Sequence, residues 1–366
     1  MFLDSLKLTC FRNHAESSVD FSSKLSCITG NNGTGKTNLL DAVYFLCLTK
    51  SNLYSTDQQS IRFGADFLRI EGSFNSNEFA QKVVCRFQTG KRKEFFVNEV
   101  PYTKLSEHIG AFPCMMISPG DADIIIGGSE DRRKVIDSTL SQTDSEYLEL
   151  LVQYNKLLAQ RNAALKQFAE SGRIDKNLLL SYDMRLIPIG EKVFAKRKHA
   201  LLEIQPLFET CYEQISLNRD AVSIQYLSQL EGKSFQELMN NSLQKDLILQ
   251  RTDTGIHKDD IDLQINLVSA KKFGSQGQQK SVLIALKLAL FQYIKKQKGF
   301  APILLVDDIF DKLDRDRGNA LIEILSSDLT GQVIISHTKR EDFNNLKMVE
   351  TIAVEEIVGN SIVSSN

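Results

Sequence analysis

The stretch Gly30-Asn31-Asn32-Gly33-Thr34-Gly35-Lys36-Thr37 leaves few folds open to this chain. It follows Leu25 to Thr29, an apolar alternation that predicts a strand. It leads into Asn38 to Leu46, where apolar residues recur at helical spacing. A glycine loop between a strand and a helix start is the setting of a phosphate-binding P-loop. The glycines let successive backbone N–H groups turn inward, and the free N–H groups of the helix start face an anion. These residues, with Asn38, are the expected ATP-binding loop. Lys36 would reach the β- and γ-phosphates, and the Thr37 hydroxyl would ligate magnesium.

Composition sets the outer limits. With 366 residues the chain has room for two domains, or for one with a large insertion. A net charge of −2 excludes a uniformly basic nucleic-acid coat but not a local basic face. The six cysteines form no C-x-x-C pair and sit mostly among apolar neighbours, as reduced core residues do. No apolar run approaches the roughly 18 residues of a membrane helix, so the expected location is cytoplasmic.

Alternation predicts strands at Phe2 to Cys10, Phe67 to Phe74, Gln81 to Phe87 and Glu94 to Val97. The last three make an antiparallel β meander at about residues 65–100. Pro113 to Ser118 predicts a further buried strand. From Ser129, which is placed to cap a helix, the pattern turns helical, and a third helical region from Lys176 to Tyr212 is expected to bend at Pro188 and Pro206. Residues 126–219 are thus expected as a helical subdomain, and 1–125 with 220–366 as a discontinuous ATPase domain. Ala221 to Leu227 reads as a strand, and Ser234 with Glu237 as a capping box for the next helix.

Four later stretches specify the kind of P-loop site. Ile303-Leu304-Leu305-Val306-Asp307-Asp308 has the form of a buried strand delivering carboxylates at its end. Asp307 would hold magnesium together with Thr37, and Asp308 would orient or deprotonate the attacking water. Lys272-Phe273-Gly274-Ser275-Gln276-Gly277-Gln278-Gln279-Lys280 precedes another helix, so Ser275 and Gly277 sit at a second helix start suited to an anion. One nucleotide can hardly lie on both helix ends within one compact subunit. The expected arrangement is therefore a homodimer, head to tail, each copy offering this loop to the ATP on the other's P-loop. Phe310-Asp311-Lys312-Leu313-Asp314 would cross the same interface. Val333-Ile334-Ile335-Ser336-His337 is a strand ending in a histidine placed to sense a γ-phosphate.

These motifs, in this order and without long arms, resemble the RecF family, ABC-type ATPases of bacterial recombinational repair related to SMC heads. Cys10-Phe11-Arg12-Asn13-His14 resembles the family's opening Asn-Phe-Arg-Asn-Tyr element, and Arg132-Arg133-Lys134-Val135-Ile136-Asp137 its Arg-Arg helix. Gln160-Arg161-Asn162 matches a Gln-Arg-Asn stretch, and Gly255-Ile256-His257-Lys258-Asp259-Asp260 approximates Gly-Pro-His-Arg-Asp-Asp. Departures are Ile256 and Lys258 in the last element, Gly120 where the family has an acid, and Phe310-Asp311-Lys312 in place of Ser-Glu.

The resemblance implies an α/β chain: an ABC-type P-loop ATPase head with an antiparallel β meander and an inserted α-helical subdomain. It implies slow ATP hydrolysis with magnesium, in which Lys36, Asp308, Ser275 and His337 act. Arg12 would approach the phosphates, and Ser275, Gly277, Gln278 and Asp314 would complete the nucleotide site. The closed dimer would clamp single- and double-stranded DNA near gaps, alongside RecR and RecO-like loaders. The sequence itself offers Lys91-Arg92-Lys93, Arg132-Arg133-Lys134 and Lys196-Arg197-Lys198 as DNA contacts, to phosphate rather than to bases. Rival readings are an SMC-like or defence-system ATPase outside repair, and an ABC transporter ATPase subunit.

Overall fold

The computed structural model describes residues 1–76, 79–216, 220–310, 313–327, 330–338 and 349–354. They fall into two compact units, Met1–Asp121 with Gln214–Leu217 and Ile284–Asn366, and Ala122–Glu213 with Asn218–Leu283. The first unit opens with β1 (Phe2–Phe11), β2 (His14–Asp20), β3 (Leu25–Thr29) and helix α1 (Lys36–Leu48). Strands β4 (Phe67–Ser76), β5 (Phe79–Gln88), β6 (Glu94–Val97), β7 (Val100–Pro101) and β8 (Cys114–Ile117) follow. The second holds α2 (Ala122–Ile126), α3 (Ser129–Thr143), α4 (Ser145–Ser171) and most of α5 (Lys176–Ser216). It continues through β9 (Val222–Leu227), α6 (Phe235–Leu249), β10 (Asp260–Ile265), β11 (Val268–Ser269), α7 (Ala270–Phe273) and the start of α8 (Gln276–Lys298). The first unit then closes with β12 (Ile303–Asp307), α9 (Arg315–Ser326), β13 (Val333–His337) and β14 (Val349–Ala353).

The first unit has two sheets. One is antiparallel, in the order β2-β1-β4-β5-β6-β7, and contains the expected meander. The other is parallel, in the order β14-β3-β13-β12-β8. Every residue of β3, β12 and β13 is buried, which is why Ile303 to Val306 of β12 reads as an unbroken apolar run. Helix α1 is buried at every residue except Thr37 and Asn38. Its Leu39 and Phe45 join one core with Leu6 and Ile70 of the antiparallel sheet and Met116, Leu305 and Ile334 of the parallel one. A helix covered on all sides has no polar stripe to display. Two stretches far apart in sequence are stitched within this unit: Leu3 N donates to Gln332 Oε1 (2.7 Å), and Gln332 Nε2 donates to Leu3 O (2.9 Å).

The second unit combines its helices with the antiparallel sheet β11-β10-β9. This departs from the expected boundary, since 220–283 packs with the helical segment. The reason is electrostatic as well as apolar: Arg161 of α4 reaches Asp246 of α6, and Arg132 of α3 reaches Asp260 of β10, each at 2.7 Å. Helix α5 runs without interruption through Pro188 and Pro206. The α3 cap is Gly128 and not Ser129, whose hydroxyl instead accepts from Arg133 Nη1 (2.8 Å). Ser234 does cap α6, accepting from Glu237 N. Asp311 and Lys312 lie outside the described residues. Among those described, no helix is long and apolar enough to cross a membrane.

Candidate nucleotide site

Strand β3 delivers the chain to the glycine loop, and Gly33 and Gly35 turn it with φ of 83° and 110°, values that cost other residues strain. Gly35 has a second constraint, because a Cβ there would lie 2.4 Å from Asn13 Nδ2 and 2.7 Å from His14 Nε2. The Lys36 ammonium is buried and curls back to donate to Gly30 O (2.7 Å) and Asn31 O (2.9 Å). The Thr34 hydroxyl also donates to Asn31 O, at 2.9 Å. The loop is thus closed upon its own carbonyls by the cation at its rim.

At the second residue of α1, Thr37 Oγ1 donates to Asp307 Oδ1 at the end of β12 (2.9 Å), and Ser336 Oγ donates to the same oxygen (2.5 Å). Burial pushes the Asp307 carboxyl above its ordinary pKa, and the Ser336 and Thr37 hydrogen bonds oppose this. The neighbouring Asp308 charge adds to the rise and Lys36 pulls against it. Asp308 sits at φ 42°, a left-handed conformation that aspartate tolerates better than most side chains. Its N–H is held by Ser336 O (3.2 Å), and its Oδ1 lies 4.0 Å from Nδ1 of the buried His337. Asp308 Oδ1 accepts no hydrogen bond among the described residues. The ring of Phe310 meets His337 edge-on at 6.1 Å. Lys36, Thr37, Asp307, Asp308 and His337 are therefore brought together. The Thr37 hydroxyl and the Asp307 carboxylate are the hard oxygen donors that magnesium takes, one or two from protein and the rest from phosphate and water.

A feature the sequence reading missed is how the β1–β2 turn grips this loop. Asn13 Nδ2 donates to Thr34 O (2.9 Å) while Asn13 Oδ1 accepts from Asn38 Nδ2 (2.7 Å). His14 Nε2 approaches Gly35 O (3.3 Å), so that nitrogen carries the proton and Nδ1 accepts from Ser17 Oγ (2.9 Å). Arg12, expected at the phosphates, is engaged with side chains on and just after α1. Its guanidinium donates to Asn38 Oδ1 (3.0 Å), Asp41 Oδ2 (2.5 Å) and Ser51 Oγ (2.8 Å). Burial pushes the Asp41 carboxyl up, and Arg12 and the Asn52 N–H (2.6 Å) hold it down. An aspartate within an otherwise apolar helix was the one available signal for this anchor.

Ser275, Gly277 and Gln278 lie in the second unit. Ser275 Oγ accepts from Gln278 N (3.2 Å) and Ser275 N donates to Gln278 Oε1 (3.0 Å), a reciprocal capping box on an exposed helix start. Asp314 caps α9, accepting from Arg317 N (3.0 Å).

Of the three basic runs expected to offer DNA contacts, several side chains are engaged within the protein. Lys91 and Arg92 are exposed, but Lys93 turns inward to Thr49 O (2.5 Å) and Asp57 (2.8 Å), over the Phe45 ring. Arg132 is buried in a two-pronged pair with Asp260, and Arg133 donates to Asp259 O (2.5 Å). Arg197 is buried between Asp137 and Asp259, while Lys196 pairs with Asp144 and Glu146, and Lys198 with Glu231. A charge removed from water is held by an opposite charge. These acids lie far away in sequence, where no local pattern reveals them.

The family model described as "RecF/RecN/SMC N terminal domain" matches residues 2–359. The DNA replication and repair protein RecF of Flavobacterium johnsoniae is 44% identical over 341 residues, covering 93% of this chain and 95% of that one. The chain belongs to the RecF family. The RecF of Cytophaga hutchinsonii is 43% identical over 93% of this chain and 90% of its own length. A solved structure of "the recombination mediator protein RecF-ATPrS in RecFOR pathway" superposes with a TM-score of 0.87, at 26% identity and 96% coverage of both chains. An Smc head from Pyrococcus furiosus, 16% identical with a TM-score of 0.54 over 92% of this chain and 90% of that one, shares the fold. The chain has the ABC-type ATPase fold and is an ATPase of that type.

Proposed function

We propose that this chain is an ATP-gated DNA clamp of recombinational and replication-gap repair. What supports the ATP half most directly is the Thr37–Asp307 hydrogen bond, which sets a hydroxyl and a carboxylate beside the loop that Lys36 closes. Lys36 gives up two neutral carbonyls and takes the β- and γ-phosphates of ATP. Thr37 and Asp307 hold magnesium, which would neutralise charge on the phosphates. Asp308 orients the attacking water, and His337 beside it registers the γ-phosphate. Asp308 is one methylene shorter than a glutamate, and that reach fits slow turnover.

Ser275, Gly277 and Gln278 of one copy meet the ATP held by the other, so two ATP molecules join two chains. The joined pair holds single- or double-stranded DNA through phosphate contacts, with Lys91 and Arg92 among the exposed basic side chains of the expected runs, and hydrolysis releases it. RecR and RecO-like proteins are the partners that the relatives' RecFOR context supports.

Light scattering after size exclusion tests the proposal. Wild type should pass from monomer to dimer on adding ATP and magnesium. Lys36→Ala should stay monomeric for want of nucleotide, whereas Ser275→Arg should bind ATP and still fail to dimerise. A Ser275→Arg protein that dimerises with ATP overturns the shared site.

A further inference from the structure

The turn that leads into β4 holds a phenylalanine out into water. Phe63 is 101% exposed, so no described residue covers either face of its ring. The backbone that carries it is nevertheless fixed. Arg62 N donates to Cys10 O (2.9 Å), and Ala65 N donates to Arg62 O (3.0 Å) to close the turn over Gly64, at φ 85°. A glycine supplies the positive φ that the third position of such a turn needs, and Phe63 is left at the corner before it. Asp66 ties this turn to the one between β5 and β6. Its carbonyl accepts from Thr89 N (2.9 Å) and its Oδ2 from Gln88 Nε2 (3.3 Å). The second turn is closed by Lys91 N on Gln88 O (3.0 Å) and displays the exposed Lys91 and Arg92. Phe67, paired with Gln88 where the two turns meet, is itself 41% exposed.

A single exposed apolar side chain is ordinary on a protein surface. Here a fully bare ring stands on a pinned turn, beside a second ring and two cations. An apolar protein partner would find little around Phe63 to bury, because Asp66, Thr89, Lys91 and Arg92 are all exposed. A nucleic-acid strand suits both halves of the patch: the cations attract phosphate, and aromatic faces stack on bases of any identity. Only an unpaired base can turn its own face to such a ring. We propose that Phe63 is a stacking platform for an unpaired base of DNA, with Lys91 and Arg92 on the adjoining phosphates. The inference rests on the DNA reading given above, and adds to its phosphate contacts a base contact that separates single strands from duplex.

Fluorescence anisotropy with a labelled oligothymidylate and a labelled blunt duplex of the same length tests it, with ATP and magnesium present. Phe63→Ala should weaken the single strand about tenfold, within the range found when base-stacking aromatics are truncated, and leave the duplex unchanged. Because the ring touches nothing, folding is not at stake in this variant. The chain contains no tryptophan, so Phe63→Trp introduces a lone indole. Its emission should be quenched by the single strand and not by the duplex, at wild-type affinity. The double variant Lys91→Ala, Arg92→Ala should weaken both DNAs; if it weakens neither, the patch lies off the DNA path and the platform is overturned. Equal weakening of both DNAs by Phe63→Ala would also overturn it. Unchanged single-strand affinity in Phe63→Ala would do the same and leave the ring to a protein partner. If wild type binds neither DNA, the DNA reading itself falls, and this inference with it.

Discussion

Lys36 in the first unit and Arg197 in the second are both buried cations, and they are held by opposite kinds of partner. Lys36 is satisfied by two neutral carbonyls of its own loop. Arg197 is clamped by both oxygens of Asp137, by Asp259 and by Ile256 O. Dipoles yield to a phosphate that offers full charge, whereas fixed carboxylates do not. A buried cation resting on dipoles is available for chemistry; one between carboxylates is architecture.

The widest test of this contrast is Arg197→Ala. It should cost about 3–5 kcal/mol of stability, because Asp137 and Asp259 are left buried without their counter-charge. Urea unfolding followed by circular dichroism measures it. A loss below about 1 kcal/mol accompanied by weaker DNA binding would break the contrast. Next, Lys36→Ala should reduce ATP turnover by about 10²- to 10³-fold, as removal of one preorganised donor does, while the melting temperature stays close to wild type. A large fall in melting temperature would show that Lys36, too, is structural.

The two units should also respond alike to acid through buried neutral histidines. His108 of the first unit and His257 of the second are each pushed down to about 4 by burial. His257 Nε2 faces Thr252 O (3.0 Å) and its Nδ1 faces Tyr154 Oη (2.9 Å), partners that suit the neutral ring. Between pH 6.5 and 4 the unfolded chain binds the proton and the folded chain does not. Stability is therefore full above the unfolded pKa and falls as pH drops, by about 3 kcal/mol per histidine once pH 4 is reached. His257→Gln should flatten that part of the stability–pH curve measured by urea unfolding. At the bottom of the scale, Lys134→Ala removes only an exposed pair with Glu130 and should change stability by about 0.5 kcal/mol or less in the same assay.

The phosphate loop was legible because its chemistry is local: strand, glycines, lysine and helix follow one another directly between Leu25 and Leu48, and the backbone itself is the ligand. The strands β4 to β6 were legible from period-two patterning closed by turns. The fates of Arg132 and Arg197 were not, since their carboxylates lie 128 and 60–62 residues away. A run such as Lys196-Arg197-Lys198 looks uniform, yet the helix turns its middle member inward and the outer two toward separate surface acids. The grip of Asn13 and His14 on the loop was hidden for the same reason: their partners are backbone carbonyls, which every residue has. The boundary at 219 failed because helical texture ends there while the packing of that unit does not.

The order of the parallel sheet has a consequence for how the protein is made. β3 is flanked by β13 and β14, and Gln332 fastens Leu3 across 329 residues. A ribosome releases the phosphate loop before the second unit, but the neighbours that brace it emerge only after that unit. Until then α1, buried along nearly all of its length in the finished fold, lacks the cover that β12 and β13 supply, and long-range pairing of this kind forms slowly. Nascent chains halted before residue 333 should be unable to retain nucleotide and should be favoured clients of chaperones, with a ribosome-bound series stopped on either side of β13 showing the step.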